Sequence, residues 1–151
     1  MTLRTLHPIS KTLCSALVFT VLSLCACSGP PSYPQPQTSG DDAVFDIGSL
    51  QAEKPVFYSF RYERKSLNFF VFKTGDKVLS FLDACAKCYP SKLGYRIEGR
   101  HVVCRKCEVR YALSNIGEGF GSCYPIRLEG RSEGPRYLIP LAALRDAAGK
   151  F

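Results

Sequence analysis

The sequence has few of the residues from which hydrolytic and nucleic-acid-binding sites are usually built. Its 151 residues include no Trp, one Met and two His, of which only His101 lies beyond the N-terminal segment. No Ser/His/Asp set and no motif of paired carboxylates is recognisable, so nothing in the sequence predicts hydrolysis. A basic segment interleaved with aromatic residues is also missing, which argues against a nucleic-acid partner. These absences favour a binding or carrier protein over an enzyme.

No apolar run in the sequence is long enough to cross a membrane comfortably. Leu13–Cys25 is apolar over 13 residues and follows a weakly basic start, a combination that is typical of a signal peptide. It ends in the letters LCAC, residues 24–27. These letters resemble the bacterial lipobox, in which a small residue precedes the cysteine that is diacylated and becomes the new N-terminus. We therefore predict a lipoprotein signal peptide over residues 1–26 and a lipidated Cys27.

The residues after Cys27 predict where the protein is anchored and how far it reaches. Ser28, and not Asp, follows Cys27, which by the same resemblance favours the outer membrane, facing the periplasm. Acyl chains on Cys27 would anchor the protein stably. Residues 28–40 are rich in Pro, Ser and Gln and should form an extended tether that reaches roughly 40 Å. The predicted organisation is a signal peptide (1–26), a lipidated Cys and tether (27–43) and a folded domain (44–151).

The charge of the chain is mildly basic. The formal net charge is +7. Without Arg4 and Lys11, which lie in the predicted signal peptide, 18 basic residues stand against 13 acidic ones. A surface of this charge suits the neighbourhood of anionic lipid or of an acidic partner.

The folded domain is predicted to be mainly β. Ten Phe and eight Tyr favour strands, and apolar and polar residues alternate with a period of two over Val56–Glu63. Arg64–Ser66 should form a turn. Leu67–Lys73 is apolar on both faces, so we expect it to be a central strand. A third strand, Val78–Leu82, then leads the chain to Cys85.

The second half of the domain is predicted to continue as short strands and to end in a helix. The expected strands are Gly94–Ile97, His101–Cys104, Val109–Leu113 and Tyr137–Ile139. The first two flank a hairpin turn in which Gly99 should have a positive φ. Pro140–Ala148 is predicted to be a short helix with Pro near its first turn. The expected fold is therefore a small antiparallel β domain with two Cys-x-x-Cys loops and a short C-terminal helix.

Five of the eight cysteines lie in the predicted domain. Cys85 and Cys88 form one Cys-x-x-Cys pair, and Cys104 and Cys107 form a second pair after fifteen intervening residues. Two such pairs can converge on one metal, because each turn directs both sulfurs the same way and the spacer can fold back as a hairpin. The fifth, Cys123, lies in a Gly-rich loop over residues 117–125. It is expected to be a neighbouring thiol or an alternative ligand.

Two other uses of these cysteines stay open at this point. An exported protein can form disulfides, but a disulfide within each pair closes a very small loop, and cross-pairing leaves Cys123 alone. Zinc is the second alternative. Zinc ribbons often carry Gly after the second cysteine of a pair, where this chain has Tyr89 and Glu108.

Basic residues within the two motifs bear on the choice of metal. Zn²⁺, or an oxidised iron–sulfur cluster of charge +2, leaves four thiolates with a net charge of −2. Lys87, Arg105 and Lys106 would offset that charge and raise the reduction potential of a cluster, unless they are only solvated loop residues. His101, three residues before Cys104, is expected to be a surface or packing residue and not a ligand.

These motifs resemble a bacterial protein family. The letters DACxxC (83–88), GY (94–95), VVCxxC (102–107), IG (116–117) and GSCYPIxL (121–128) are similar to those of predicted membrane iron–sulfur proteins termed FtrD-like. The resemblance covers about residues 55–141. It implies an iron–sulfur protein associated with high-affinity iron-uptake systems of the bacterial envelope. Many family members have several transmembrane helices before the domain, where this chain has only the predicted lipoprotein leader.

The order of parts is also similar to that of Rieske domains, which hold a [2Fe–2S] cluster with two Cys and two His. Cysteines stand here where those histidines would be. This likeness implies that the loop 117–125 covers the site with Cys123 near it. It also implies a lower potential for an all-cysteine cluster than for a Rieske centre. The fold is thus expected to be Rieske-like or ribbon-like.

The sequence as a whole predicts a cell-envelope lipoprotein with a four-cysteine metal centre. The expected cofactor is an iron–sulfur cluster, with Zn²⁺ as the alternative. The expected role is electron transfer or iron handling in bacterial iron uptake, with envelope iron-transport or redox proteins as partners. A structural zinc-binding interaction module and a thiol–disulfide redox protein are the alternative functions.

Overall fold

A computed structural model describes residues 31–118 and 121–150, so the predicted signal peptide and Cys27 lie outside the described residues. The strands form three antiparallel sheets, and a helix follows at the C-terminal end. In chain order the strands are β1 (Gln37–Ser39), β2 (Asp42–Asp46), β3 (Val56–Tyr62), β4 (Lys65–Thr74), β5 (Lys77–Cys85), β6 (Tyr95–Glu98), β7 (His101–Cys104), β8 (Arg110–Ala112), β9 (Pro125–Arg127), β10 (Arg131–Glu133) and β11 (Arg136–Pro140). The helix, α1, spans Leu141–Lys150. This architecture confirms the predicted small antiparallel β domain.

The central sheet has the strand order β3-β4-β5-β9 and separates two halves of the core. Phe69 and Val71 of its middle strand β4 face the outer half, while Phe70 and Phe72 face the inner half, and all four are fully buried. A strand with apolar residues on both faces has to lie between two packed layers. The prediction of a central strand at Leu67–Lys73 is therefore confirmed.

The turn between β3 and β4 is shorter than predicted. Tyr62 pairs with Lys65, which leaves only Glu63 and Arg64 in the loop. Glu63 has a φ of 54°, the left-handed conformation that two-residue hairpin loops use. Lys65 and Ser66, expected to belong to the turn, instead begin β4.

The outer half of the core lies between the central sheet and the sheet β1-β2-β11-β10. The ring of Phe45 on β2 meets that of Phe69 edge-on, with a centroid distance of 6.1 Å. The helix α1 closes this half and buries Leu144 and Ala148, which share one face at a spacing of four residues. The predicted helix Pro140–Ala148 is confirmed, with a start one residue later and an end two residues later. No helix among the described residues is long and apolar enough to span a membrane.

The N-terminal part of the described chain packs against the domain instead of leaving it as a tether. Pro31 O accepts a hydrogen bond from Asn68 Nδ2 at 2.6 Å, and the ring of Tyr33 lies 5.0 Å from that of Phe57. The strands β1 and β2 pair with each other, and β2 continues the sheet to β11. The structure therefore differs from the tether predicted for residues 27–43 from Pro31 onward. Backbone pairing and aromatic contacts outweigh the polar composition of this segment.

The inner half of the core lies between the central sheet and the sheet β6-β7-β8. Phe70 and Phe81 stack at 5.8 Å, and Tyr95 of β6 meets Phe70 edge-on at 6.1 Å. The hairpin between β6 and β7 turns at Gly99, whose φ of 58° confirms the predicted positive φ. The strands β5 and β7 both end in this half, and both end in a cysteine.

Candidate metal centre

Two tight turns carry the paired cysteines of the inner half. The first cysteine turn, Cys85–Cys88, begins at the last residue of β5, and the second cysteine turn, Cys104–Cys107, begins at the last residue of β7. Cys88 N–H donates to Cys85 O at 3.1 Å, and Glu108 N–H donates to Cys104 O at 2.9 Å. Each two-residue spacing therefore turns the chain back on itself, as the sequence predicted.

The second cysteine turn closes through a residue in the left-handed region. Glu108 has a φ of 60°, a conformation that costs a non-glycine residue about 1–2 kcal/mol. Its carboxylate forms a two-bond ion pair with Arg96, in which Nη1 and Oε1 are 3.0 Å apart. The pair is exposed and so adds little stability. Gly, which zinc ribbons often carry at this place, would adopt this backbone conformation without that cost.

The four cysteines of the two turns, here called the four-cysteine group, bring their sulfur atoms together. All four Sγ atoms lie within 4.8 Å of one another, and those of Cys85 and Cys104 are 3.9 Å apart. Four sulfurs placed tetrahedrally about 2.3 Å from a metal ion are about 3.8 Å from each other. The residues therefore fit a four-thiolate metal site, and the structure gathers the ligands predicted from the sequence, Cys85, Cys88, Cys104 and Cys107, in one place.

The described cysteines are not joined by disulfides. Cys85, Cys88, Cys104, Cys107 and Cys123 are all free thiols. The separation of 3.9 Å between the sulfurs of Cys85 and Cys104 is far longer than a disulfide bond of about 2.05 Å. This arrangement favours ligation over the disulfide alternative.

The four-cysteine group has a sealed side and an open side. Cys85 and Cys104 are 1% and 2% exposed and belong to the inner half of the core. Cys88 and Cys107 are only partly buried. A metal held here would be shielded from water by the protein core and approachable from the side of the two turns.

Burial and close packing shift the pKa values of three thiols of the group, Cys88, Cys104 and Cys107. Burial, and then the neighbouring thiols, raise the pKa of Cys88, and burial raises that of Cys104 to about 11. Burial also opposes ionisation of Cys107, but hydrogen bonds from Val109 N–H and from neighbouring thiols lower its pKa overall. Burial and the neighbouring thiols thus oppose ionisation of Cys88 and Cys104, while Cys107 ionises more readily. A metal cation removes this obstacle, because it replaces the protons of its ligands.

Cys123 lies beside the four-cysteine group but outside it. Its side chain is buried, and its thiol interacts with that of Cys107 and helps to lower the Cys107 pKa. The adjacent Tyr124 O accepts a hydrogen bond from Ala86 N–H at 2.9 Å. The described part of the loop 117–125 therefore lies against the first cysteine turn, where the sequence predicted a covering loop. This position favours the role of a neighbouring thiol over that of a ligand.

A buried aspartate, for which the sequence predicts no role, links the two cysteine turns. Asp83 Oδ1 accepts Tyr95 N–H at 2.6 Å. Gly94 packs directly on this carboxylate, since a Cβ at Gly94 would lie 2.7 Å from Asp83 Cγ. The Gly94 carbonyl in turn accepts Arg105 N–H, from the second cysteine turn, at 3.0 Å. We call the path Asp83–Gly94–Arg105 the strut.

One residue of the sequence indicates the strut, although periodicity and motif spacing do not explain it. Asp83 is the one acidic residue within β5, whose residues are otherwise mostly apolar and buried. Burial raises its pKa to about 6, although the Tyr95 N–H and the Arg105 charge act in the opposite direction. Burying a carboxylate is costly unless it is hydrogen-bonded. Gly94, at a φ of 68°, is the residue that leaves room for the Asp83 carboxylate.

Two buried tyrosine hydroxyls near the group have no hydrogen-bond partner among residues 31–118 and 121–150. They belong to Tyr95 and Tyr111, whose rings meet edge-on at 6.1 Å. Burial raises the pKa of both phenols, and the nearby charge of Cys85 raises it further. An unpaired buried hydroxyl costs about 1–3 kcal/mol. The two hydroxyls are therefore a destabilising feature of the protein beside the four-cysteine group.

The basic residues predicted near the two turns lie there, whereas His101 lies at a distance from both turns. Lys87, Arg105 and Lys106 are all exposed around the turns. Lys87 is close enough to Cys123 to favour its thiolate, against the burial that raises the Cys123 pKa. His101 begins β7, at the opposite end of that strand from the second cysteine turn. This placement agrees with the expectation that His101 is not a ligand.

Replacing Cys85 with Ser should abolish metal retention, whereas Cys123→Ser should preserve it. Cys85 supplies one of the four converging sulfurs, while Cys123 only adjoins one of them. Metal content after gel filtration, measured by elemental analysis, tests both variants against the wild type. Equal loss of metal from both, or retention in Cys85→Ser, would contradict the ligand assignment.

Tyr111→Phe should stabilise the metal-free protein by about 1 kcal/mol, because it removes a buried hydroxyl that lacks a partner. Tyr137→Phe is the matched control, since the Tyr137 hydroxyl lies 2.9 Å from Ser80 Oγ in the core and its loss should be destabilising. Urea unfolding of both variants gives the two free energies. An equal loss of stability in the two variants would show that the Tyr111 hydroxyl has a hydrogen-bond partner.

Comparison with known proteins agrees with the geometry of this site. Residues 50–151 match the family model described as membrane iron-sulfur containing protein FtrD-like. No curated protein and no solved structure matches the chain. The matched span includes β3 to α1 and all five described cysteines. The chain therefore belongs to the FtrD-like family of membrane iron–sulfur containing proteins, as its motifs predicted.

Proposed function

We propose that this chain is a lipid-anchored protein of the bacterial cell envelope whose four-cysteine group binds iron for electron transfer or iron handling during iron uptake. The observation that carries the proposal is the convergence of four cysteine sulfurs within 4.8 Å in a member of an iron–sulfur family. Tetrahedral sulfur sites are typical of iron–sulfur proteins and of zinc. The family description favours iron.

The open side of the group supports exchange of electrons or ions with a partner. The outer cysteines, Cys88 and Cys107, are only partly buried. Tyr89 and Tyr124, which adjoin the first cysteine turn and Cys123, are 38% and 51% exposed. Exposed aromatic residues are enriched at protein interfaces, and the basic residues around the turns would complement an acidic surface. We expect the partner to be an envelope redox or iron-transport protein with such a surface.

The predicted lipid anchor would keep the domain close to the membrane. Pro31 is already bonded to the central sheet, and only residues 28–30 separate it from Cys27. The four Cα–Cα steps from Cys27 to Pro31 span at most about 14 Å. This short connection replaces the roughly 40 Å reach of a free tether. A partner of the domain would therefore act at the membrane surface, and we propose the outer membrane because Ser28 follows Cys27.

Zinc is the second candidate, because a tetrahedral arrangement of four thiolates suits Zn²⁺ as well as iron. A zinc site in this position would stabilise the two turns without supplying redox chemistry. The protein would then act as a structural interaction module. Metal content separates the two functions directly.

Metal analysis of the full-length protein, extracted in detergent and purified without oxygen, tests the proposal. We expect bound iron and a visible absorption that bleaches on reduction and returns on oxidation. Iron that stays bound through several cycles supports electron transfer, and iron that a chelator removes only after reduction supports iron handling. Labelled palmitate should be incorporated into this protein and not into Cys27→Ser. Stoichiometric zinc in a colourless protein would contradict the proposal and favour the interaction module.

A further inference from the structure

We propose that the four-cysteine group holds a single iron ion, bound by four cysteine sulfurs and accompanied by no inorganic sulfide. The inference rests on the proposed function in one respect, that the metal is iron. The family description names iron and sulfur but not how many irons are bound. An iron ion surrounded only by cysteine sulfurs satisfies that description.

The spacing of the sulfurs is the first observation. Every pair among the four lies within 4.8 Å. If all pairs stood at this limit, a central ion would be about 2.9 Å from each sulfur, and a small contraction reaches the bonding distance of about 2.3 Å. In a sulfide-bridged cluster, cysteines on different irons bind at opposite ends of a metal–sulfide core. Their sulfurs must then be farther apart than two ligands of one ion, and no pair in this group is widely separated.

The protein leaves little room for a larger core. Cys85 and Cys104 are sealed by the inner half of the core and cannot retreat into it without displacing packed aromatic side chains. A pocket beside Cys85, Cys88 and Cys104, which Cys107 does not line, has a volume of about 10 Å³. That is about the space of one water molecule. This side of the group therefore offers no room for further irons and bridging sulfides.

The strut prevents the two turns from separating. Asp83 lies two residues before the first cysteine turn, and the Gly94 carbonyl holds the backbone of the second at Arg105. Spreading the turns would break the bond from Arg105 N–H to Gly94 O, or would pull Gly94 and Tyr95 away from a buried carboxylate. A buried acceptor without its donors is costly. The strut therefore limits how far the two turns, and with them their sulfurs, can move apart.

Analysis of iron and acid-labile sulfide in the full-length protein, purified without oxygen, tests the inference. We expect one iron per chain, no acid-labile sulfide, and the magnetic signature of an isolated high-spin ferric ion after oxidation. Two or four irons with matching sulfide would overturn the inference and leave the proposed function intact. Zinc without iron would overturn the proposed function, and the inference with it.

A matched pair of glycine variants tests whether the strut sets the spacing. Gly94→Ala places a Cβ against the Asp83 carboxylate and should release iron to a chelator at least about tenfold faster. Gly99→Ala introduces the same left-handed backbone strain, since φ is 58° at Gly99 and 68° at Gly94. Its Cβ, however, would meet nothing within 4 Å. Iron release from Gly99→Ala should match the wild type, with circular dichroism confirming that both variants are folded. Equal iron release from both variants would show that the strut does not set the sulfur spacing, and it would remove the geometric basis of the inference.

Discussion

Four sulfur atoms held within 4.8 Å of one another repel each other as soon as more than one of them is ionised. The inner half of the domain depends on this constraint. Burial keeps water from Cys85 and Cys104 and raises the pKa of Cys104, and the strut keeps the turns from drifting apart. A cation among the sulfurs relieves the repulsion and stabilises the thiolates.

The central sheet lets one small domain support such a site. Its strand β4 is apolar on both faces, so it belongs to two cores at once. The outer core holds β2 and α1, and the inner core carries the two cysteine turns and contacts Tyr33 through Phe57. The helix and the cysteine turns thus belong to different halves of the core. The open side of the four-cysteine group lies at the two cysteine turns, where a partner can reach it.

Local patterns were sufficient to predict most of the scaffold. The double-faced strand, the hairpin at Gly99 and the terminal helix follow from periodicity and turn chemistry, and the motif spacing predicted which four cysteines meet. Long-range contacts were not predictable. The composition of residues 31–43 predicts a polar tether. Composition does not show that Tyr33 will contact Phe57 or that β2 will pair with β11. The role of Asp83 could not be predicted for the same reason. Asp83 lies on β5 and Gly94 comes just before β6, and no pattern within a single strand shows that the two will be in contact.

The account rests most directly on the claim that the four cysteine sulfurs share one metal. X-ray absorption at the metal edge measures this in the full-length protein. The account predicts a single shell of four sulfur neighbours at about 2.3 Å. A shell that contains nitrogen or oxygen, or fewer than four sulfurs, would contradict it.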